Sequence, residues 1–299
     1  MRPLSAPALR QLRADRYRQR PHLHVQTEAQ ALEFLNDVGL CLLFSGQGIE
    51  LPSLWGALNG EDRPVPQHHR DHNLGLAWNW KDSLPIEGKV LYGKFLRKKP
   101  VFVSLGLAPH FYALSPNYGQ PAEDYLQDYL DGHLSVEAKQ VYEVLLELGA
   151  LPTSRLRREA GLSGKSNASR FDRALAELQM QFRITKVAIS DANRWGYCYV
   201  YDLLHRHFPG VVAAAHDIGG GQARETILLH YLRTVVAATP SDVARLFGWQ
   251  PRDVDRLARR LADEERLRAG VTIEGLDGEY LVDYGALASS SSMSRSNSA

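Results

Sequence analysis

The run from Leu134 to Asp202, LSVEAKQVYEVLLELGALPTSRLRREAGLSGKSNASRFDRALAELQMQFRITKVAISDANRWGYCYVYD, decides the fold. Val141, Val144, Leu145 and Leu148 recur at i, i+3, i+4 and i+7, which lays an apolar stripe along one helix face. Gly149 ends that helix, because glycine enters the left-handed cap conformation at little cost. Thr153 or Ser154 offers an N-cap oxygen to a short second helix that stops near Gly161. After the polar loop Ser163 to Ser166, Asn167 is placed to cap a third helix with an inner face of Phe171, Ala174, Leu175 and Leu178. Two β-rich runs follow, Thr185 to Ser190 and Tyr197 to Tyr201, joined by the turn Asp191 to Gly196. Three helices and a hairpin in this order predict a winged helix-turn-helix.

The order recurs from Gln222 to Asp283. Leu228, Tyr231, Leu232 and Val235 form a first stripe, and Val254, Leu257, Ala258 and Leu261 a third. Val271 to Glu274 and Glu279 to Asp283 are the expected hairpin, around Gly275 to Gly278. Ser154 pairs with Ser241, Leu156 with Val243, Gly161 with Gly248 and Leu162 with Trp249, all at one constant spacing. Asp172-Arg173 pairs with Asp255-Arg256 at a slightly shorter one, so the register breaks only at the loop before the third helix. A constant register through a helix marks a duplicated supersecondary unit.

Outward from this repeat the chain reads as α+β, mainly α with small β-hairpins, in tandem winged units. Residues 1–26 are a basic N-terminal arm, with Arg2, Arg10, Arg13, Arg16, Arg18 and Arg20 against Asp15. They either grip phosphate or form a solubilising tail. Residues 27–120 read as a degenerate winged-helix-like domain with a long insertion. Thr27 caps a helix whose apolar face is Ala31, Phe34, Leu35 and Val38, and Leu40 to Phe44 is buried. Pro52 precedes a short helix, Asn59 to Gly88 is a long ordered loop, Lys89 to Arg97 is helix, and Val101 to Leu105 pairs with Phe111 to Leu114. Residues 121–210 hold the central winged helix, Gly219 to Gly221 a hinge, 222–288 the C-terminal winged helix, and 289–299 a serine-rich disordered tail.

Composition narrows the function classes. Apolar residues make up 44% of the chain, as in a globular protein, and the net charge is only +1, so nucleic-acid affinity must come from local patches. Cys41 and Cys198 sit in separate apolar runs without zinc spacing, and a reducing cytoplasm is expected. No apolar run spans a bilayer and no signal peptide is visible, so no membrane partner is expected.

Between Arg155 and Arg173 the first copy carries Arg155, Arg157, Arg158, Lys165, Arg170 and Arg173 against Glu159 and Asp172. Ser166, Asn167 and Ser169 lie at the start of the third helix, where small polar side chains and backbone amides meet phosphate. The wing adds Arg194 and Trp195. In the second copy Arg and Asp or Glu alternate, which suits a solvated face. DNA is thus the expected partner of the first copy and the second is mostly scaffold; the alternative is that both are protein-interaction modules.

Other clusters bear on chemistry. His68, His69, Asp71 and His72 are metal-ligand types, but adjacent residues seldom converge on one ion, so a polar loop with no metal is expected. Trp78-Asn-Trp80-Lys81-Asp82, with Tyr92 and Lys94 close behind, pairs aromatics with cations and suits base stacking by Trp78 and Trp80, or else anchors a loop. Glu50 and Asp82 are carboxylates able to act in glycosidic cleavage. No small-molecule cofactor is implied, because Gly219 to Gly221 lacks a phosphate-binding context.

The helix-rich start, the winged repeat Leu134-Ser-Val-Glu-Ala-Lys139, Thr153-Ser-Arg-Leu156 and Phe171-Asp-Arg-Ala-Leu175, and the final winged unit resemble the bacterial winged-helix alkylpurine and crosslink DNA glycosylases of the AlkZ/YcaQ type, over roughly residues 27–284. The resemblance implies tandem winged helices on a concave DNA-binding surface and metal-independent excision of bulky alkylated purines. It also implies a Gln-apolar-Gln or Gln-apolar-Asp triplet after a Leu-Gly pattern. Val38-Gly39-Leu40-Cys41 is the matching stretch, which puts Leu42 and Phe44 at the polar catalytic positions. Apolar side chains there neither position water nor stabilise an oxocarbenium-like sugar, so the chemistry is lost or moved. Gln47 is the alternative placement, with Glu50 and Asp82 the other candidates.

The sequence therefore points first to a cytoplasmic, nucleoid-associated, monomeric protein that binds duplex or damaged DNA in repair or genome maintenance without cleavage. An active DNA glycosylase (a hydrolase) is the second reading, and a transcription regulator, which would dimerise on a symmetric operator, the third.

Overall fold

The structure is a computed structural model and describes residues 4–46, 48–67, 70–191 and 196–285, with the side chain of Lys165 excepted. Gln47, His68, His69, Arg194, Trp195 and the tail 289–299 therefore lie outside the described residues.

Helix α1 (Ala6–Arg16) starts on a Ser5 cap that accepts the Ala8 N–H. Helix α2 (Glu28–Val38) is closed by a reciprocal Thr27–Gln30 capping box and stops at Gly39, φ 69°. Its buried face is Ala31, Phe34, Leu35 and Val38, as the spacing predicts. The short strand β1 (Leu40–Leu42) is buried throughout. Helix α3 (Leu54–Asn59) follows on a Ser53 cap, then helix α4 (His72–Ile86), strand β2 (Val90–Leu96) and strand β3 (Lys99–Ser104). Helices α5 (Ala108–Ala113) and α6 (Asp124–Leu130) lead to the central repeat.

Three sequence expectations fail in this stretch. Asn59 to Gly88 is not a loop, because α4 occupies its second half. The buried stripe of α4 is Leu74, Ala77, Lys81 and Leu84, so a lysine holds a core position and breaks the apolar pattern. Lys89 to Arg97 is a strand, not a helix; β2 is buried along nearly its whole length, so it shows no alternation. It pairs with β3 through the two-residue turn Arg97-Lys98, both at positive φ (48° and 58°), where glycine or asparagine usually signals the hairpin. Phe111 to Leu114, expected as a strand, falls on α5 and its C-cap.

The central unit runs α7 (Val136–Leu148), β4 (Leu151–Pro152), α8 (Thr153–Glu159), α9 (Ala168–Met180), β5 (Ile184–Ser190) and β6 (Cys198–Leu203). The expected side-chain caps do not form: Pro152, not Thr153 or Ser154, stands at the N-cap of α8, and Asn167 is the N-cap residue of α9 without a side-chain cap hydrogen bond. Thr153 lies inside α8 and donates its hydroxyl to the Tyr199 carbonyl, while Asn167 reaches back to the Ser163 carbonyl. Helices α10 (Leu204–His207), α11 (Pro209–Ala215) and α12 (Gly220–Val235) follow, so the expected glycine hinge opens a helix. The last unit is completed by β7 (Ala237–Ala238), α13 (Pro240–Phe247), α14 (Pro251–Asp263), β8 (Leu267–Val271) and β9 (Tyr280–Asp283). Its first hairpin strand ends at Val271, where the sequence placed its start, because Arg268 to Gly270 form an exposed edge that hides the apolar period.

The two winged sheets share one topology, β4-β6-β5 and β7-β9-β8, antiparallel throughout. The order helix, short strand, helix, helix, strand, strand occurs a third time from α2 to β3. By packing, the chain divides into two compact units, residues 1–77 with 225–299, and residues 78–224. The second has a core of Val141, Leu145, Leu156, Phe171, Leu178, Ile184 and Leu203 around α7 and α9. In the first, Leu4 and Leu9 pack with Val236, Ala237, Ile273 and Val282.

The basic arm is a built part of that first unit. Ala6 N–H donates to the Glu274 carbonyl at 2.8 Å and Glu274 N–H to that of Leu4 at 2.9 Å. Arg13 donates to the Val235 and Ala237 carbonyls, both at 2.9 Å, and to Glu50 at 2.8 Å. Arg18 pairs with Glu33 and Asp37, and Arg20 with Asp15. These arginines are spent on protein acceptors, which corrects their reading as a loose phosphate grip.

Candidate functional site

Within residues 78–224 a group of cations and tyrosines converges from α4, β2, β5 and β6. Alternation along a strand puts Tyr197, Tyr199 and Tyr201 on one face, with successive rings 5.5 and 6.4 Å apart, edge to face. Helix α4 brings Lys81 against them. Its side chain is 1% exposed, and Nζ donates to Asp82 Oδ1 (2.5 Å), the Tyr199 hydroxyl (2.6 Å) and the Tyr197 hydroxyl (2.8 Å). An ammonium has three donors, so Lys81 is saturated. Tyr197 in turn donates to Asp82 Oδ2 at 2.9 Å. The same ammonium lies 4.7 Å from the Trp78 ring and 5.0 Å from that of Tyr199.

A second lysine, Lys186 on β5, points between two rings. Its Nζ is 3.7 Å from the Tyr199 centroid and 4.6 Å from that of Tyr92 on β2. Burial, then the charges of Lys81 and Lys94, brings its amine down to about 7, with Asp82 opposing. Burial also lowers Lys81, against the pull of Asp82. Burial raises Tyr197 to about 12, and raises Tyr199 further with help from Tyr197 and Asp82. The arrangement is a desolvated amine beside a saturated ammonium, walled by aromatic faces. Such a set can stack a planar group, attract an anion or add an amine to a carbonyl.

The sequence singled out Trp78, Trp80, Lys81, Asp82, Tyr92 and Lys94 but missed Lys186, Tyr197 and Tyr199. The alternating tyrosines opposite a lysine in a β-rich run were the available signal. Of the two tryptophans proposed to stack bases, Trp80 is core, 5% exposed, while Trp78 keeps 40% exposure. The carboxylate candidates are engaged: Glu50 accepts from Arg13 and Tyr17, and Asp82 from Lys81 and Tyr197. Asp71 accepts the Leu74 N–H at the start of α4 and pairs with Arg63 at 2.7 Å, which explains one member of the histidine cluster as a helix cap. Among the described residues no group of three His, Cys, Asp or Glu is placed to hold a metal ion, and no helix is long and apolar enough to cross a membrane.

The basic surface of the central unit is partly self-neutralised. Arg155 and Arg158 share Glu159, at 3.6 and 3.1 Å. Arg157 donates to the Leu162 and Gly164 carbonyls and so braces the loop before α9. Arg170 pairs with Glu137, whose carboxyl is held below the usual range by a backbone N–H and then by Arg170 and Arg173. Arg173 donates to the Ser169 carbonyl at 3.2 Å. Ser166 and Ser169 are exposed at the start of α9, and Lys165 stands in the preceding 3-10 turn, Lys165–Asn167. The side chains of Arg155, Arg158 and Arg170 remain 55%, 67% and 53% exposed despite their partners.

Two winged units with one sheet order, and a third stretch with the same element order, define a tandem winged-helix protein. The family model described as AlkZ related matches residues 25–248, and the chain belongs to that family. No curated protein matches it at the level of sequence. Among solved structures it is similar to the Streptomyces sahachiroi DNA glycosylase AlkZ, with a TM-score of 0.57 and 13% identity, over 96% of this chain and 72% of that one. At that identity the likeness is one of fold. The positions that the sequence resemblance assigns to catalytic polar side chains carry Leu42, buried in β1, and Phe44, packed edge-on to Trp55 at 6.0 Å.

Proposed function

We propose that this chain is a DNA-binding protein of repair or genome maintenance, acting as a monomer on the nucleoid in the cytoplasm, and that it engages duplex or damaged DNA without hydrolysing a glycosidic bond. The observation that carries the reading is the cationic surface at the N-terminal end of α9. There Arg170, Ser166 and Ser169 are largely exposed, and Arg155 and Arg158 of the preceding helix α8 stay exposed as well. A helix start with exposed arginines, hydroxyls and backbone N–H groups is suited to phosphate contact, and the third helix of a helix-turn-helix is the element that enters a major groove. Membership of the AlkZ-related family and the likeness to a DNA glycosylase support DNA as the partner. The absence of water activation is supported by Leu42 and Phe44 and by the engagement of Glu50 and Asp82.

The test is a gel shift on labelled duplexes, undamaged or carrying an alkylated purine, followed by alkali. A shift that weakens with salt, without new strand breaks, is expected. Alkali-labile breaks at the lesion would replace this reading with that of an active glycosylase. No shift at low salt would overturn DNA binding altogether.

A further inference from the structure

We propose that Lys186 is an amine nucleophile for aldehydes, and specifically for the ring-opened form of an abasic deoxyribose in DNA, with which it forms an imine that leads to strand scission. The identity of the substrate rests on the DNA-binding reading above; the nucleophile rests on the geometry of the cluster.

Among the described residues, the contacts of Lys186 are with the faces of Tyr92 and Tyr199, not with a hydrogen-bond acceptor. Lys81 differs: its three donors are spent on Asp82, Tyr197 and Tyr199, and its side chain is 1% exposed. One lysine thus supplies a fixed charge and the other an uncommitted amine. Lys186 is partly exposed, and Trp78 and Tyr197, both in contact with Lys81, keep 40% exposure each, so the group opens to solvent. The charged and titratable groups around Lys186 set its protonation. Lys81 and Lys94 oppose its charge, Asp82 favours it, and the rings of Tyr92 and Tyr199 cover part of it and so desolvate it. Burial and like charge leave an appreciable neutral fraction near pH 7, the form that attacks a carbonyl.

The chemistry balances without a co-reactant. The Lys186 Nζ lone pair adds to C1′ of the open-chain aldehyde. The carbonyl oxygen takes one proton from the amine and one from solvent and leaves as water, and a protonated imine remains. Loss of a C2′ proton to solvent supplies the electron pair for a C2′=C3′ bond. The C3′–O bond breaks, and the downstream strand departs with its 5′-phosphate. Water then hydrolyses the imine, which frees Lys186 and leaves an unsaturated aldehyde on the upstream strand.

The experiment uses the full chain and a duplex with one abasic site, incubated with sodium cyanoborohydride. A stable protein–DNA adduct is expected, mapped to Lys186 by peptide mass spectrometry, with trapping that rises with pH through about 7. Without the reductant, β-elimination products should appear. Lys186→Met should lose the adduct, and so should Lys186→Arg, which keeps the charge without an attacking amine; circular dichroism checks that both fold. A duplex with a tetrahydrofuran abasic analogue, which has no aldehyde, separates the two claims. If it is shifted while the natural abasic site gives no adduct, the nucleophile proposal fails and DNA binding stands. An adduct at any other lysine also overturns the proposal. If neither duplex is bound or trapped, both readings fail.

Discussion

Removing the carboxylate of Asp128 should be among the most damaging single changes in residues 78–224. Arg183 lies immediately before β5 with a fully buried side chain. It donates to Asp128 Oδ2, to the Pro116 carbonyl at 3.0 Å and to Gln181 Oε1 at 2.9 Å, and its guanidinium stands 5.7 Å from the Tyr142 ring centroid. Its backbone is fixed as well, with N–H donating to Leu178 and the carbonyl accepting from Leu204, both at 2.9 Å. Asp128→Ala cannot be answered by swinging the arginine into water. Removing one member of a buried ion pair costs roughly 3–5 kcal/mol, because the other charge stays buried. Two hydrogen bonds and an aromatic face remain to Arg183, so the lower end applies, about 3 kcal/mol, or more than a hundredfold in the folding equilibrium. Urea unfolding followed by circular dichroism should show a lower midpoint for Asp128→Ala. The double variant Asp128→Leu with Arg183→Met, which removes both charges, should recover most of the loss. A cost below about 1 kcal/mol for Asp128→Ala would mean that Arg183 finds water or another anion, and would refute this account of the pair.

Four further outcomes follow from particular residues. Replacing Arg97-Lys98 by Asn-Gly should stabilise the β2–β3 hairpin by about 1 kcal/mol in the same urea assay, since both positions sit at positive φ. Gly93→Ala should cost about 1–3 kcal/mol, because its Cβ would stand 2.7 Å from the Oε1 of buried Gln179, which already accepts from Lys94 N–H. Arg170→Ala with Arg173→Ala should weaken DNA binding and reduce the slope of log affinity against log salt by about 2; an unchanged slope would remove them from the interface. His230 is pulled down to about 4 by burial and then by Arg233, from an ordinary 6.5. Between those values the unfolded chain takes up a proton that the folded one does not, so stability should fall as pH drops from 6.5 toward 4, and His230→Gln should flatten that window in pH-dependent thermal unfolding.

The winged units were legible in the sequence because their helices carry their own signals. Val141, Leu145, Phe171 and Leu178 repeat at helical spacing and are buried, and Gly149 and Gly248 end helices at positive φ, although Leu148, expected on the first stripe, is exposed and Ala138 and Tyr142 complete the buried face instead. The duplication was legible for the same reason, since a register through a helix is local. The α4 to β3 stretch was not. A lysine stood where an apolar residue was needed, β2 showed no alternation, and its turn lacked the usual glycine.

By itself, then, the sequence determined the elements whose stability is local: amphipathic helices, the ends that glycine permits, and their repeated order. Only the tertiary structure decided what each polar residue is for. Lys81 is tolerable in a core because Tyr197 and Tyr199, 116 and 118 residues further along the chain, accept its hydrogen bonds. Arg13 is structural because the Val235 and Ala237 carbonyls, 222 and 224 residues away, receive it. Lys186 has a weakened proton because strands and a helix distant in sequence exclude water around it. A buried charge is defined by its partners and by its desolvation, and both are set by long-range packing that no local pattern encodes.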